Sequence, residues 1–336
     1  MIGIVSATIF LFIYNTVQPT NEKRLELQPT LCKCASIVAH KCSKKFRCEN
    51  TLLPVVDIPV ALHDKSILLL GDSIPWQLSM TMKCVAGSKV HTKSVGMHIF
   101  PLNEIQFENT LQKVVQQNNY SAIIFGIGTW YNWEWGTQYD DENLDTMMKR
   151  CPESFQKDIK NMDYNAETNS YDYAQKFRSG CKLLLRKNSF RLGLERLVRI
   201  VHRHKDDWPP IFWKNIPPQH FPTPSGQYDW GGIGNENCIA IANKSLAFDR
   251  NKVAYGILKS SGLINHIDTW DEDIDEWKSH PGSDCTHYCN PSKVTLSRVD
   301  NVFKQIVKTQ MKNDHQFDLI FMIMNLIERI RLEYFQ

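Results

Sequence analysis

The sequence predicts an α/β domain of three layers, α/β/α, with a mostly parallel sheet in the middle. Three observations predict it. Strand candidates end in glycine three times, at Gly71, Gly96 and Gly126, the first and third of them apolar runs. Segments with apolar residues at helical spacing lie between and after these runs. That alternation is what parallel strands joined by crossover helices require. The size agrees, since 336 residues with 42% apolar and 22% charged side chains can bury a sizeable core.

In chain order, Ser66-Ile-Leu-Leu-Leu70 is a buried strand that ends in Gly71-Asp-Ser73. Trp76 to Val85 follows as a helix, with Leu78, Met82 and Val85 on one face. Lys89 to Val95 is a second strand, ended by Gly96, and Leu111 to Asn118 is helical. Tyr120 to Phe125 is a third strand, ended by Gly126-Ile-Gly128. Asp140 to Asn169 is acidic and polar, an inserted loop region. A long helix is expected from Ser189 to His204, then a short strand at Ile211-Phe-Trp213. Pro217 to Asn237, rich in Pro, Gly and aromatics, is a long ordered loop. Asn251 to Ser260 is a helix, Ile264 to Ile267 the last strand, and Val299 to Val307 a helix. No repeat is present. In such sheets the binding crevice lies at the carboxyl ends of the strands, so three glycine-ended strands point at one crevice.

The ends of the chain read differently. Ile2 to Tyr14 is an uncharged, mostly apolar run, shorter than the roughly 20 residues of a bilayer span and close to the core of a signal peptide. Lys23 and Arg24 follow it and no basic residue precedes it, which favours entry into the secretory pathway; whether the segment is cleaved or remains as an anchor is open. The expected organisation is a leader over 1–17, a stem and cysteine-rich region over 18–60, a catalytic-type domain over 61–310, and a helical tail over 311–336. The tail is amphipathic, with too short an apolar part to span a membrane. Ten cysteines suit an oxidising compartment, as do the sequons Asn119-Tyr-Ser and Asn243-Lys-Ser. A zinc set from Cys32, Cys34, Cys285 and Cys289 with His280 and His287 competes, although its spacings miss the paired CxxC pattern. A net charge of +3 without a long basic run excludes nucleic acid as a partner. Gly231-Gly-x-Gly234 has no strand before it and no helix after it, so no dinucleotide is expected.

Two places carry chemistry. Ser73 stands where a strand turns into a helix; a serine there serves as a helix N-cap or, given a base, as a nucleophile beside amides that stabilise an oxyanion. Asp284-Cys-Thr-His287 puts a carboxylate three residues before an imidazole, within reach of the ring nitrogen that faces away from a nucleophile. Cys285 and Cys289 bracket the histidine and would hold its loop if oxidised. Trp130, Tyr131, Trp133, Trp135, Phe221 and Trp230 lie on loops near the crevice, where aromatics either stack on sugar rings or pack under the loops.

Taken together these blocks resemble the trichome-birefringence-like polysaccharide O-acetyltransferases and the PC-esterase group within the SGNH/GDSL hydrolases. Lys65-Ser-Ile-Leu-Leu-Leu-Gly-Asp-Ser73 with Gln77 and Cys84 is similar to that family's nucleophile block. Ile124-Phe-Gly-Ile-Gly-Thr-Trp130-Tyr is similar to its F-N-T-G-H-W-W block. Phe212-Trp-Lys with Pro218-Gln-His220-Phe221, running to Cys238, resembles its S-P-x-H-F stretch, and Asp284-Cys-Thr-His287-Tyr-Cys289 its D-C-x-H-W-C block.

The resemblance implies Ser73 as nucleophile and acyl-enzyme site, His287 as general base and Asp284 as its orienting carboxylate. Gly126 stands where that family has asparagine, so the oxyanion donors are read as Ser73, Gly96, Gly126 and the nearby Asn132; Trp130 is a candidate substrate contact, and His220 either contacts substrate or makes a structural hydrogen bond in its loop. It pairs Cys84 with the N-terminal region and Cys238 with Cys285 or Cys289. The implied activity is transfer of an acetyl group to a glycan hydroxyl, without metal or cofactor beyond an acetyl donor. An acetylesterase and an inactive glycan-binding homologue are the alternatives. The implied location is the Golgi membrane, held through the N-terminal segment with the catalytic domain in the lumen, or the secreted space.

Overall fold

The structure, a computed structural model, describes residues 56–131, 149, 187–228, 237–280, 284–290 and 292–313. The expected leader, the stem up to residue 55, the acidic insertion and the tail beyond residue 313 lie outside the described residues.

The described chain runs β1 (Lys65–Gly71), α1 (Ser73–Ala86), β2 (Val90–Gly96), α2 (Glu104–Val115), β3 (Tyr120–Gly126), α3 (Lys187–Arg203) and β4 (Ile211–Lys214). It continues with α4 (Lys244–Ala247), α5 (Asp249–Ser261), β5 (Ile264–Ile267), α6 (Trp270–Asp273) and α7 (Lys293–Asn313). The five strands form one sheet in the order β2-β1-β3-β4-β5, and every pair is parallel. The sheet is buried on both sides, which is why β1 and β3 read as unbroken apolar runs.

Side-chain parity divides the core. Leu68, Leu70, Ile123, Phe125, Ile211 and Trp213 face a cluster completed by α2, α3 and α5, through Phe107, Leu194, Leu197 and Leu258 among others. Ile67, Leu69, Ala122, Ile124 and Phe212 face the opposite cluster, completed by α1 and α7 through Leu78, Met82, Val299 and Phe303. The result is the three-layer α/β/α domain.

Strand order places the site. From β1 the chain goes to one side for β2 and to the other for β3, so the topology reverses between β1 and β3, and the crevice opens at their carboxyl ends. Gly71 lies in register with Gly96 on one side and Gly126 on the other. A Cβ on Gly71 would stand 2.1 Å from the Gly126 carbonyl oxygen, and one on Gly126 would stand 2.6 Å from Pro75 Cγ. The three glycines that ended the predicted strands therefore form one row, where the first turn of α1 presses onto the sheet.

Two helices start earlier than apolar periodicity indicates. α2 begins at Glu104 because Asn103 caps it, accepting from the Gln106 amide at 3.0 Å, while its first turn is polar and Ile105 faces solvent. α7 begins at Lys293, where Ser292 and Thr295 bond each other reciprocally. The one-turn helices α4 and α6 lie where no helix was predicted.

Candidate active site

The site grows from the β1–α1 turn. Asp72, not Ser73, is the N-cap of α1: its Oδ1 accepts from the Ile74 amide at 3.0 Å. Its Oδ2 accepts from the amides of Gly128 and Thr129 at 3.3 and 3.1 Å. A buried carboxylate thus ties the turn that carries Ser73 to the loop after β3. From beneath that loop, buried Arg250 donates to the carbonyls of Gly128, Thr129 and Tyr131. Relieved of capping, the Ser73 hydroxyl is directed elsewhere.

It faces His287. Ser73 Oγ stands 2.6 Å from His287 Nε2, and His287 Nδ1 stands 2.8 Å from Asp284 Oδ2. A carboxylate accepts only, so Nδ1 carries the proton and Nε2 presents a lone pair to the serine hydroxyl. Asp284 Oδ1 also accepts the amides of Thr286 and His287, at 3.2 and 3.1 Å. Burial raises the Asp284 pKa, but the His287 hydrogen bond and charge and the two amides outweigh it and hold the carboxyl below the ordinary carboxylate range. The relay is open to water, with the side chains of His287 and Asp284 29% and 46% exposed.

Helix α1 positions the loop with a polar stripe at i, i+4 and i+8. Ser73 meets His287; Gln77 donates from Nε2 to the Tyr288 carbonyl at 2.5 Å and accepts from its amide at 3.4 Å; Thr81 donates to Asn290 Oδ1 at 2.9 Å. From the other side the loop is tied by the Cys238–Cys285 disulfide. The pairing falls to Cys285 rather than Cys289, and it removes Cys285 from the competing zinc set. Cys84 is also disulfide-bonded, with a partner outside the described residues.

A charged layer lies below. Arg298 pairs with Asp273 through Nε at 2.9 Å and through its terminal nitrogen at 2.8 Å, and its guanidinium sits 4.2 Å from the centre of the Tyr288 ring. Asp273 accepts from Thr269, which in turn accepts from Lys214 Nζ at 3.1 Å. Burial, reinforced by the Arg298 charge, brings Lys214 down to about 8. Burial and the Asp273 charge push the Tyr288 phenol up, so the hydroxyl remains a donor, 3.3 Å from the carbonyls of Pro218 and Asp273.

The remaining candidates separate. Gly96 and Gly126 lie in the strand-end row beside the site, and Asn132 lies outside the described residues, as do Trp133, Trp135 and Trp230. Trp130 is half-buried, edge-on to His98 with ring centres 5.0 Å apart. Phe221 and Tyr131 are core residues. His220 is fully buried, its Nδ1 2.7 Å from His280 Nε2 and its Nε2 3.1 Å from the Ile274 carbonyl. In this position it acts as a buried hydrogen-bonding group of its loop. Trp76 was not singled out as an aromatic of the site, yet it is 49% exposed one turn after Ser73.

No protein-family model and no curated protein matches the sequence. Among solved structures the chain is similar to a candidate acylhydrolase from Bacteroides fragilis, at 12% identity and TM-score 0.38 over 78% of this chain and 93% of that one. It is also similar to a GDSL-like lipase from Bacteroides thetaiotaomicron, at 12% identity and TM-score 0.37 over 82% of this chain and 98% of that one.

Proposed function

We propose that the chain is a serine-dependent acyl-transferring enzyme, an O-acetyltransferase acting on glycan hydroxyls. The observation that carries the reading is the continuous hydrogen-bonded relay Ser73–His287–Asp284, at 2.6 and 2.8 Å. In it Ser73 Oγ attacks the carbonyl carbon of an acetyl ester while His287 Nε2 takes the hydroxyl proton, and Asp284 stabilises the imidazolium that forms. The Ser73 amide, first in its helix and without an intrahelical acceptor, stabilises the oxyanion. His287 then returns the proton to the leaving alkoxide. The acetyl-serine passes to a sugar hydroxyl deprotonated by the same imidazole.

Exposed Trp76 and half-buried Trp130 supply faces for a sugar ring. The ordered blocks shared with trichome-birefringence-like proteins favour a transferase, and the bonded Cys84, Cys238 and Cys285 favour a secretory route with a Golgi-lumenal or secreted domain. The N-terminal apolar run would serve as the membrane anchor if it is retained. Hydrolysis is the second reading, favoured by the exposure of His287 and Asp284, because water reaches an open relay as readily as a sugar does.

Mass spectrometry of the full-length chain after incubation with a chromogenic acetyl ester tests both, with Ser73→Ala as control and with or without xylo- and manno-oligosaccharides. An acetyl adduct on Ser73 that moves to a sugar establishes the transferase; an adduct lost only to water establishes the esterase. Absence of both adduct and turnover in the folded, oxidised protein overturns the catalytic reading and leaves a glycan-binding homologue. Ser73→Ala is expected to lower turnover by about 10⁴-fold or more.

A further inference from the structure

Below the relay, His220 and His280 form a hydrogen-bond chain whose protons do not add up for two neutral rings. His220 Nε2 is 3.1 Å from the Ile274 carbonyl oxygen and His280 Nδ1 is 2.6 Å from the His287 carbonyl oxygen. A carbonyl only accepts, so each of these nitrogens must carry a hydrogen, and a neutral imidazole has one to give. The two nitrogens left, His220 Nδ1 and His280 Nε2, face each other at 2.7 Å. In neutral rings both would be lone pairs pressed together in a buried site, with His220 fully buried and His280 3% exposed.

We propose that His220 and His280 share a third proton between these nitrogens, and that the pair so charged is a positioning device that holds the backbone of His287 in line with Ser73. Three protons then serve three hydrogen bonds, and the central one falls in the short, charge-assisted range.

The surroundings set the balance. Asp273 and Asp275, at and just after α6, draw positive charge to His220, and Asp284 draws it to His280; Arg298, from α7, opposes both. The Tyr288 ring has Arg298 on it at 4.2 Å and the His280 ring centre also at 4.2 Å, so its π-electrons face two cations at once. Burial, and then the charge of the neighbouring ring, push His280 down to about 3, and burial pushes His220 down as well. Both directions oppose an added proton, so the shared one rests on the three hydrogen-bond distances and, where it is held, belongs to the pair rather than to either ring. If the pair gives it up, one of the three hydrogen bonds must open. The bond to the His287 carbonyl is the one that leads to the relay.

The proton count can be read without turnover, whereas the kinetic consequence rests on the acyl-transfer reading. Full-length protein labelled with ¹⁵N-histidine is examined by two-bond ¹H–¹⁵N correlation at neutral pH. The two rings are assigned from His280→Asn or, should that variant not fold, from contacts to the Tyr288 ring protons. The proposal expects one lone-pair nitrogen among the four ring nitrogens of the pair. Two lone-pair nitrogens, one per ring, overturn it. For the kinetic part, kcat for a small acetyl ester is followed against pH in wild type and His280→Asn. The asparagine amide stands where Nδ1 stood and donates to the His287 carbonyl without needing a shared proton. Wild type should lose turnover on an alkaline limb that the variant lacks, with KM unchanged in both; the same limb in both refutes the positioning role. If neither protein turns over any ester, the catalytic reading fails while the proton count still stands or falls by the spectrum.

Discussion

At Asp284 burial favours the protonated acid, whereas the His287 ring and two amides favour the carboxylate and prevail. A folded-state pKa below the ordinary 3.8 means that the unfolded chain takes up the proton first as pH falls. The stability due to this group is therefore complete well above that value and drains as pH drops through 3.8 toward the folded value. Urea midpoints of wild type and Asp284→Asn should converge between about pH 5 and pH 2, by a small amount since water screens a side chain 46% exposed. Activity is the more sensitive readout. An asparagine amide at this position stabilises the wrong tautomer of His287, so kcat should fall about 10⁴-fold with the fold intact. Gln77 acts one step further from the chemistry. Gln77→Leu preserves bulk but leaves the Tyr288 amide and carbonyl without their side-chain partner, at a cost of about 1–3 kcal/mol in a denaturant titration. On the proposed acyl-transfer reading, what moves is the general base rather than a substrate contact, so kcat should suffer and KM should not.

Two helices carry a glycine in mid-span, and space alone gives the substitutions opposite signs. Replacing either with alanine gains about 1 kcal/mol of helix propensity. Gly256, on the exposed face of α5, has nothing within 4 Å of an added Cβ, so Gly256→Ala should raise the melting temperature. In α3 a Cβ on Gly193 would stand 2.3 Å from Phe100 Cδ2. Phe100 has no room to yield, since it packs among Phe107, Tyr131, Phe190 and Trp213. Overpacking of about 1–3 kcal/mol exceeds the propensity gain, so Gly193→Ala should lower the melting temperature. The same contrast explains which elements were legible in the sequence. β1 and β3 stood out because buried parallel strands present apolar runs with marked ends. The starts of α2 and α7 did not, because capping is done by polar residues that hydrophobic periodicity ignores. Asp284 and His287 could be paired on sight because they lie three positions apart in the chain. The union of Gln77 with Tyr288, and of His220 with His280, joins residues 211 and 60 positions apart, and only the assembled sheet brings them together. The one local trace of the first was the polar spacing Ser73, Gln77, Thr81 on an otherwise buried helix face.

On the scale of the whole molecule, the relay joins the first helix to a loop 214 residues further along the chain. The strand-end row fixes Ser73, since Gly71 and Gly126 admit no side chain. The loop of His287 is irregular backbone held by discrete ties: Gln77 and Thr81 from α1, His280 from below, and Cys285 through its bond to Cys238. The disulfide differs from the others in kind because it acts on the unfolded chain as well. Closing a span of 47 residues removes chain entropy worth about 4 kcal/mol at room temperature, of which about 2–4 kcal/mol is typically realised. Cys238→Ser with Cys285→Ser should lower the unfolding free energy by that amount. Cys285 lies between Asp284 and His287 in the chain, and its carbonyl accepts the His220 amide at 2.9 Å, so the local effect should outlast the global one. At temperatures where the double variant is still folded by circular dichroism, its kcat should already be reduced. Equal kcat under those conditions would mean that Gln77, Thr81 and His280 hold the base unaided, and that the disulfide stabilises the chain without aligning its chemistry.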